Sequence, residues 1–276
     1  DAYTKRVKAA ANQYQNVRNL SDQELIDLAR DDQIDIAFDL MGYTRKNRAK
    51  IFSQRVAPIQ IGYLDWPGST GNKSIDYLIA DQTLIPKEDE KYYVEKIIRM
   101  PRARQPTDDT LTKSDKQFSR SHLGISEDSF VFCCFSKSNK IQRPEFMLWM
   151  KLLLEIENSY LWMLESNEIS KTNMIKEANS IGVDTKRIIF SKRIPLRDHM
   201  SRQSCADLML DTFNFSSGVM TSLAIKCALP VLTLPGNTLS SRLSASILRS
   251  LNLTELIATD QDDYLKKAIH LSDKKR

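Results

Sequence analysis

Short apolar runs alternate with helix-length amphipathic stretches along almost the whole chain, and this alternation limits the fold more than any other feature. "IDIAFDL" at 34–40 follows "SDQELIDLARD", in which Ser21 and Glu24 have capping-box spacing. "PIQIGYL" at 58–64, "IDYLIAD" at 75–81 and "KIIRMP" at 96–101 complete a first series of strands. The polar stretch "RARQPTDDTLTKSDKQFSRSHLGISEDS" interrupts it. A second series then runs through "FVFCCF" at 130–135, "YLWML" at 160–164, "RIIF" at 187–190, "ADLML" at 206–210 and "LPVLTL" at 229–234. Between these later strands lie "RPEFMLWMKLLLEI", "KTNMIKEANSIGV", "LRDHMSRQS", "GVMTSLAIKCA" and "LSSRLSASILRSLN", each patterned as a helix. The pattern predicts an α/β protein with mostly parallel sheets and helices on both faces.

A chain of 276 residues is long enough for two such domains. The boundary is expected near 103–128, giving domains over 1–115 and 120–276. Forty basic against 35 acidic side chains leave a net charge of +5, but the charges are interspersed, so no nucleic-acid partner is expected. No apolar segment reaches about 18 residues, so no membrane span is expected. Cys133, Cys134, Cys205 and Cys227 lack metal-site spacing, and the pair inside "FVFCCF" suits a buried reduced strand. With no signal-peptide pattern at "DAYTKRVKAAANQYQ", the expectation is a cytoplasmic chain; a start at Asp1 instead of Met suggests a piece of something longer.

Sheets of this kind bind ligands beyond the carboxyl ends of their strands, where loops lead into helix N-termini. The chain has neither G-x-G-x-x-G nor G-x-x-x-x-G-K-[ST], which removes the standard dinucleotide and P-loop readings. In "SKSNKIQRPEF", Lys137 and Lys140 precede a helix expected to start at Pro144, so both ammonium groups are candidates for an anion, or else are solvated loop lysines. In "RDHMSRQ", His199 and Arg202 share one helix face, His199 suited to a base and Arg202 to a pyrimidine edge or a phosphate. His122 and His270 have no such neighbours. In "FNFSSGVMTSLAIK", Ser216 or Ser217 caps a helix, or the turn cradles a diphosphate with Ser217, Gly218 and Val219; both readings stand on sequence alone. In "LPGNTLSSR", Thr238 or Asn237 is the expected cap, and Arg242 either contacts a phosphate or, the favoured reading, ties the helix to its neighbour.

Four ordered segments together resemble the catalytic region of the O-linked N-acetylglucosamine transferase family of protein glycosyltransferases, in its bacterial form. "DIAFDLMGYTRKNRAKIFSQRVAPIQIGYLDWPGSTG" is similar to the family's D-I-x-x-D-x-x-G-Y-T, R-x-A-P-I-Q and Y-P-G-T-x-G run. "FCCFSKSNKIQRPEFMLWMKLL", "RIIFSKRIPLRDHMSRQSCADLMLDT" and "LPVLTLPGNTLSSRLSASIL" resemble three further family segments. The resemblance implies two Rossmann-like lobes of the B-type glycosyltransferase fold, the N-terminal one incomplete. It implies transfer of a sugar, by default N-acetylglucosamine, from a UDP donor to Ser or Thr hydroxyls with inversion and no metal. It maps a phosphate-contacting lysine to Lys140 and the uracil-side pair to His199 and Arg202. It places the acceptor near Gly42, Tyr43, Thr44, Pro67, Gly68 and Ser69. It also implies upstream helical repeats of the tetratricopeptide type that recruit acceptor proteins, and a histidine base upstream of Asp1, without which this piece alone is expected to be inactive.

The chain departs from the family at several points. Where the family reads N-G-[HG]-T-T and then an acidic residue, this chain has Ser216-Ser217-Gly218-Val219-Met220, and then Leu223. Asn139 replaces an aromatic beside the lysine, Lys137 stands where an Asn or Gln is common, and Asp65 and Trp66 alter the Y-P-G-T run. A non-catalytic binding module and a transferase for a different donor sugar are therefore the rival readings.

Overall fold

In the computed structural model, which describes residues 2–273, two compact units emerge. The first takes in residues through Ile79 together with Asp89–Ile98; the second takes in Ala80–Glu88 and the chain from Arg99 onward.

The first unit opens with α1 (Ala2–Ala10) and α2 (Asp22–Asp31). The capping box read from the sequence forms: Ser21 Oγ accepts from the Glu24 N–H and the Glu24 carboxylate accepts from the Ser21 N–H. Strands β1 (Ile36–Asp39), β2 (Ile59–Gly62), β3 (Tyr77–Asp81) and β4 (Lys96–Met100) line up in that order, β1 to β2 and β2 to β3 parallel, with the short helix α3 (Lys50–Ser53) crossing from β1 to β2. Ile26 of α2, Phe52 of α3, Val56 and Ile75 form the small core.

The second unit carries β5 (Phe130–Cys134), α4 (Arg143–Glu155), β6 (Ser159–Leu164), α5 (Glu168–Ser180), β7 (Ile188–Ser191), α6 (Leu196–Arg202), β8 (Leu208–Leu210), α7 (Gly218–Lys226), β9 (Val231–Leu232), α8 (Leu243–Ser250) and α9 (Gln261–Asp273). The parallel sheet has the order β7-β6-β5-β8-β9. The central strand explains the unbroken run "FVFCC": all five residues are buried, and the period-2 alternation divides them between two cores. Phe130, Phe132 and Cys134 pack with Trp149, Leu152 and Leu153 of α4 and Tyr264 of α9. Val131, Cys133 and Phe135 pack with Trp162, Met209 and Ala224 on the opposite face. Burial raises both thiols, Cys134 to about 12, so all four cysteines, buried and free, are inert small hydrophobes.

The chain leaves β5 for β6 and β7 on one side, then returns to β8 on the other, so the winding direction reverses between β5 and β8. The polar stretch at 103–128 lies along this unit. Ser114 Oγ meets Ser201 Oγ at 3.1 Å, Lys116 pairs with Asp198 at 2.6 Å, and Arg120 donates to both oxygens of Asp207 at 2.8 Å. The first two bonds hold α6 at the edge where the site forms, and the third ties the stretch to the residue before β8. Among the described residues no helix is long and apolar enough to cross a membrane.

Candidate functional site

The reversal between β5 and β8 is the switch point at which open α/β sheets bind ligands, and the loops after these two strands are tied to each other there. Ser136 Oγ meets Ser217 Oγ at 2.8 Å, Asn214 Nδ2 donates to Gln142 Oε1 at 2.6 Å, and Lys140 Nζ lies 3.9 Å from the centre of the Phe215 ring. α4 starts at Arg143, capped by Gln142, whose N–H donates to the buried carboxylate of Glu145. Lys140 is partly buried; desolvation lowers its pKa, Asp211 opposes that shift and Lys137 adds to it. Its ammonium is thus half-buried at the sheet edge, a setting in which an anion gains more from it than in bulk solvent. Lys137, by contrast, is exposed.

The two serines of the opening turn neither cap α7 through their side chains nor face outward. Ser217 occupies the cap position without a side-chain cap bond, and Ser216 is fully buried. The organiser is Asp211, at the carboxyl end of β8 and fully buried: it accepts from Ser216 Oγ at 2.7 Å, the Ser217 N–H at 2.9 Å and Thr233 Oγ1 at 2.8 Å. Ser216 Oγ also reaches Ser244 Oγ and accepts from the Ser244 N–H, binding the turn to α8. This corrects the expected cradle. The Ser217 N–H belongs to Asp211, and the first intrahelical bond of α7 is Thr221 N–H to Ser217 O, so the donors left at the helix start are those of Gly218, Val219 and Met220. A Cβ at Gly218 would sit 3.3 Å from Gln105 Oε1 and 3.5 Å from Leu243 Cβ, so the glycine is there for close packing. Val219 is 60% exposed, whereas Leu223, at the position of the family's acidic residue, is buried with Met200 and Cys227.

Beside this turn, Phe135, Leu164, Arg193, His199, Arg202 and Met220 contribute to the lining of a cavity of about 270 Å³. His199 and Arg202 do share a face of α6, as their spacing predicts, but they face each other: Arg202 Nε donates to His199 Nδ1 at 2.9 Å. Arg202 is only 5% exposed, donates from Nη1 to Lys192 O at 3.1 Å, and stacks against Phe135 and Trp162 at 5.1 and 5.4 Å. With Nδ1 accepting, the His199 proton sits on Nε2, and that buried N–H has no partner among the described residues. Burial first, and Arg202 second, depress the His199 pKa to about 4, so the ring is neutral at physiological pH.

That depression has a sign. Between about pH 4 and 6.5 the unfolded chain binds a proton that folded His199 does not, so stability falls as pH drops through this window, by on the order of 3 kcal/mol in full. Glu145, whose pKa burial raises, acts oppositely, losing stability as pH rises above the ordinary carboxylate range. The difference in unfolding free energy between the native chain and His199→Gln therefore isolates the histidine: it should change steeply from pH 6.5 to 4 and be flat from 7 to 8. A pH-independent difference would show that His199 titrates normally.

In the first unit, the loops after β1 and β2 also meet. Asp39 accepts from the N–H groups of Met41 and Gly42. Tyr43 packs edge-on against Trp66, with centroids 5.4 Å apart, and its hydroxyl donates to Thr70 O at 2.8 Å. Trp66 Nε1 donates to Ser69 O, and Ser69 Oγ and Thr70 Oγ1 both donate to the buried carboxylate of Glu95. Gly42, Tyr43, Thr44, Pro67, Gly68 and Ser69 thus belong to one loop cluster; of its organisers, Trp66 stood out in the sequence only as a departure from the Y-P-G-T run, and Asp39 and Glu95 were not singled out. The Thr44 hydroxyl is buried without a partner among the described residues. The two glycines differ: Gly42 has φ +51 and an added Cβ would lie 2.4 Å from Trp66 Cβ, while one at Gly68 would make an ordinary 3.8 Å contact. Gly42→Ala should cost about 2–3 kcal/mol in chemical denaturation through left-handed strain plus the clash, and Gly68→Ala less than about 0.5. Equal effects would contradict the Trp66 contact.

Arg242 donates from Nε to Gly236 O at 2.9 Å and from Nη1 to Leu84 O at 3.4 Å, and Thr238 caps the turn before α8. His122 meets Ser119 Oγ in an exposed turn. Among the described residues no group of three His, Cys, Asp or Glu side chains is placed to hold a metal ion.

Two α/β units built on parallel strand pairing, the second with polar groups gathered at its switch point, have the architecture of the B-type glycosyltransferase fold. The solved structure of a lysine-to-methionine mutant of the Thermobaculum terrenum O-GlcNAc transferase superposes with a TM-score of 0.89 at 28% identity, over 99% of this chain and 52% of that one. The profile of glycosyl transferase family 41 matches residues 1–110 and 103–276, and the chain belongs to that family. It is 29% identical, over 98% of its length, to the probable UDP-N-acetylglucosamine–peptide N-acetylglucosaminyltransferase SEC of Arabidopsis thaliana. It is 24% identical, over 94%, to the SPINDLY protein of the same plant, which carries the same probable activity in its name. The chain spans 28% of the length of each of these relatives.

Proposed function

We propose that this chain is part of the catalytic region of a glycosyltransferase that moves a sugar, N-acetylglucosamine by default, from a UDP donor to Ser or Thr hydroxyls of proteins with inversion. Family membership and the activity named for the plant relatives support the reaction class. The observation that carries the reading to this chain is the clustering, at one sheet edge, of a half-buried Lys140, the N-terminus of α7 and a cavity lined in part by His199 and Arg202. In this reading the second unit, with Ala80–Glu88 and the chain from Arg99 onward, holds the donor, and the first unit is the acceptor side, with its loop cluster around Tyr43 and Ser69. Lys140, assisted by Lys137 and by the Gly218, Val219 and Met220 N–H groups, stabilises the negative charge that grows on the departing diphosphate. The catalytic base and the helical repeats that recruit acceptor proteins belong to chain upstream of Asp1.

The buried Leu223 and the exposed Val219 favour attention to the donor sugar, because neither side chain offers the hydrogen bond the family usually supplies there. A panel of nucleotide sugars incubated with the full-length protein and a Ser/Thr-rich acceptor, read by intact mass, tests both points. Addition of N-acetylhexosamine is expected from UDP-N-acetylglucosamine. Addition from another donor alone would replace the default sugar, and no addition from any donor would sink the transferase reading.

A further inference from the structure

Phe215 does not sit as a core phenylalanine does. Two positions earlier, Phe213 packs edge-on against Tyr264 in the core, with ring centroids 5.2 Å apart. Phe215 is instead left 37% exposed, yet the backbone around it is held on both sides. Its carbonyl accepts from Thr212 Oγ1 at 2.7 Å, and the following N–H, that of Ser216, donates to Ser240 O at 2.9 Å. The preceding Asn214 donates from Nδ2 to Gln142 Oε1 at 2.6 Å, which ties this loop to the residue two places after Lys140. A fixed loop thus carries a ring that gains little from burial, and the ring face lies 3.9 Å from the Lys140 ammonium.

The backbone of Lys140 is fixed as well. Its N–H donates to Lys137 O at 2.9 Å, closing a short turn, and Ile141 packs against the core. Its side chain, however, has no hydrogen-bond or ion-pair partner among the described residues. Asp211 acts on it only through space, because the oxygens of that carboxylate are taken up by Ser216, Ser217 and Thr233. The Phe215 ring is what holds the ammonium in place.

We infer that Phe215 is a positioning residue, which keeps the Lys140 ammonium at the diphosphate position with its charge uncompensated. This rests on the proposed UDP-sugar reading. A carboxylate would also hold a lysine, but it would neutralise the charge and occupy its donors, and an incoming phosphate would have to displace it. A ring face attracts the cation through its quadrupole without either consequence, so the N–H groups turned away from the ring stay available to an anion. Without the ring, the four-carbon stem regains rotamer freedom that the ligand must freeze on binding. The cost of losing Phe215 is therefore paid through Lys140 alone.

Calorimetric titration of the full-length protein with UDP tests this in Phe215→Leu, Phe215→Tyr, Lys140→Ala and the Lys140→Ala/Phe215→Leu double variant. Phe215→Leu, which keeps the bulk and removes the ring, should lose about 3- to 30-fold in UDP affinity at an unchanged melting temperature. Phe215→Tyr, which keeps the ring face, should stay within about twofold of the native protein. With Lys140 already replaced by Ala, the change to Leu should alter affinity by less than about twofold, because no ammonium is left to hold. Native affinity in Phe215→Leu would overturn the assignment, and so would an equal loss in Phe215→Tyr. The same loss with and without Lys140 would also overturn it, by showing that Phe215 acts on the ligand or the loop independently of the lysine. If the native protein does not bind UDP, or Lys140→Ala binds it as the native protein does, the donor-site reading itself fails, and the two failures are thereby distinguished.

Discussion

Lys140→Ala is expected to weaken UDP binding by about 1.5–3 kcal/mol, or roughly 10- to 150-fold, the range for a hydrogen bond to a charged group. The turnover loss should be larger, about 10²–10³-fold, because charge on the leaving diphosphate grows toward the transition state and the lysine acts on that growth. Burial lowers the Lys140 pKa, so the ammonium is poorly solvated before any ligand arrives and little reorganisation is needed when one does. Its contact in the protein is the Phe215 ring face, so truncation should leave the melting temperature within a few degrees. Unchanged UDP affinity and turnover in Lys140→Ala would show that the loop after β5 is merely solvated.

The second large effect is on stability. Asp211→Ala removes a fully buried carboxylate and strands three donors, on Ser216, Ser217 and Thr233. Breaking such a buried charged network typically costs about 3–5 kcal/mol. Chemical denaturation should read that loss, with Asp211→Asn falling between the two because the amide keeps one acceptor. The same change should weaken UDP binding beyond what instability explains, since the Ser217 N–H anchor that aims the α7 N-terminus is gone, and so is the carboxylate that opposes the lowering of the Lys140 pKa. A loss below about 1 kcal/mol would mean that the turn holds its shape through Ser244 and α8 alone.

The strand series was legible because "FVFCCF" is unbroken and apolar, and a strand buried on both faces must read that way. The capping box at Ser21 was legible because the motif is local and its partners are three residues apart, whereas at the later turn the sequence left Thr238 or Asn237 as the cap and the structure has Thr238. Lys140 was singled out through its loop position and a family resemblance, and the structure puts it half-buried against the Phe215 ring. Asp211 was not: in "LMLDT" it looks like any aspartate after a strand, and only tertiary structure brings Ser216, Thr233 and Ser244 around it. The position of Asp211 at a strand's carboxyl end was the available signal. The α6 pair shows the same limit more sharply. A spacing of three correctly put His199 beside Arg202, but spacing cannot say whether two neighbours also bond to each other, and here Arg202 Nε donates to His199 Nδ1. Likewise Gly42 and Gly68 read alike in sequence, and only the approach of Trp66 separates them.

The central claim is that the edge of the five-stranded sheet between β5 and α7 holds a uridine diphosphate. Calorimetric titration of the full-length protein with UDP alone measures that most directly, without an acceptor, a base or a choice of sugar. A saturable single site with a dissociation constant below about 1 mM, weakened at least tenfold in Lys140→Ala, is the predicted result. No binding heat at millimolar UDP, in a protein shown to be folded, would contradict it.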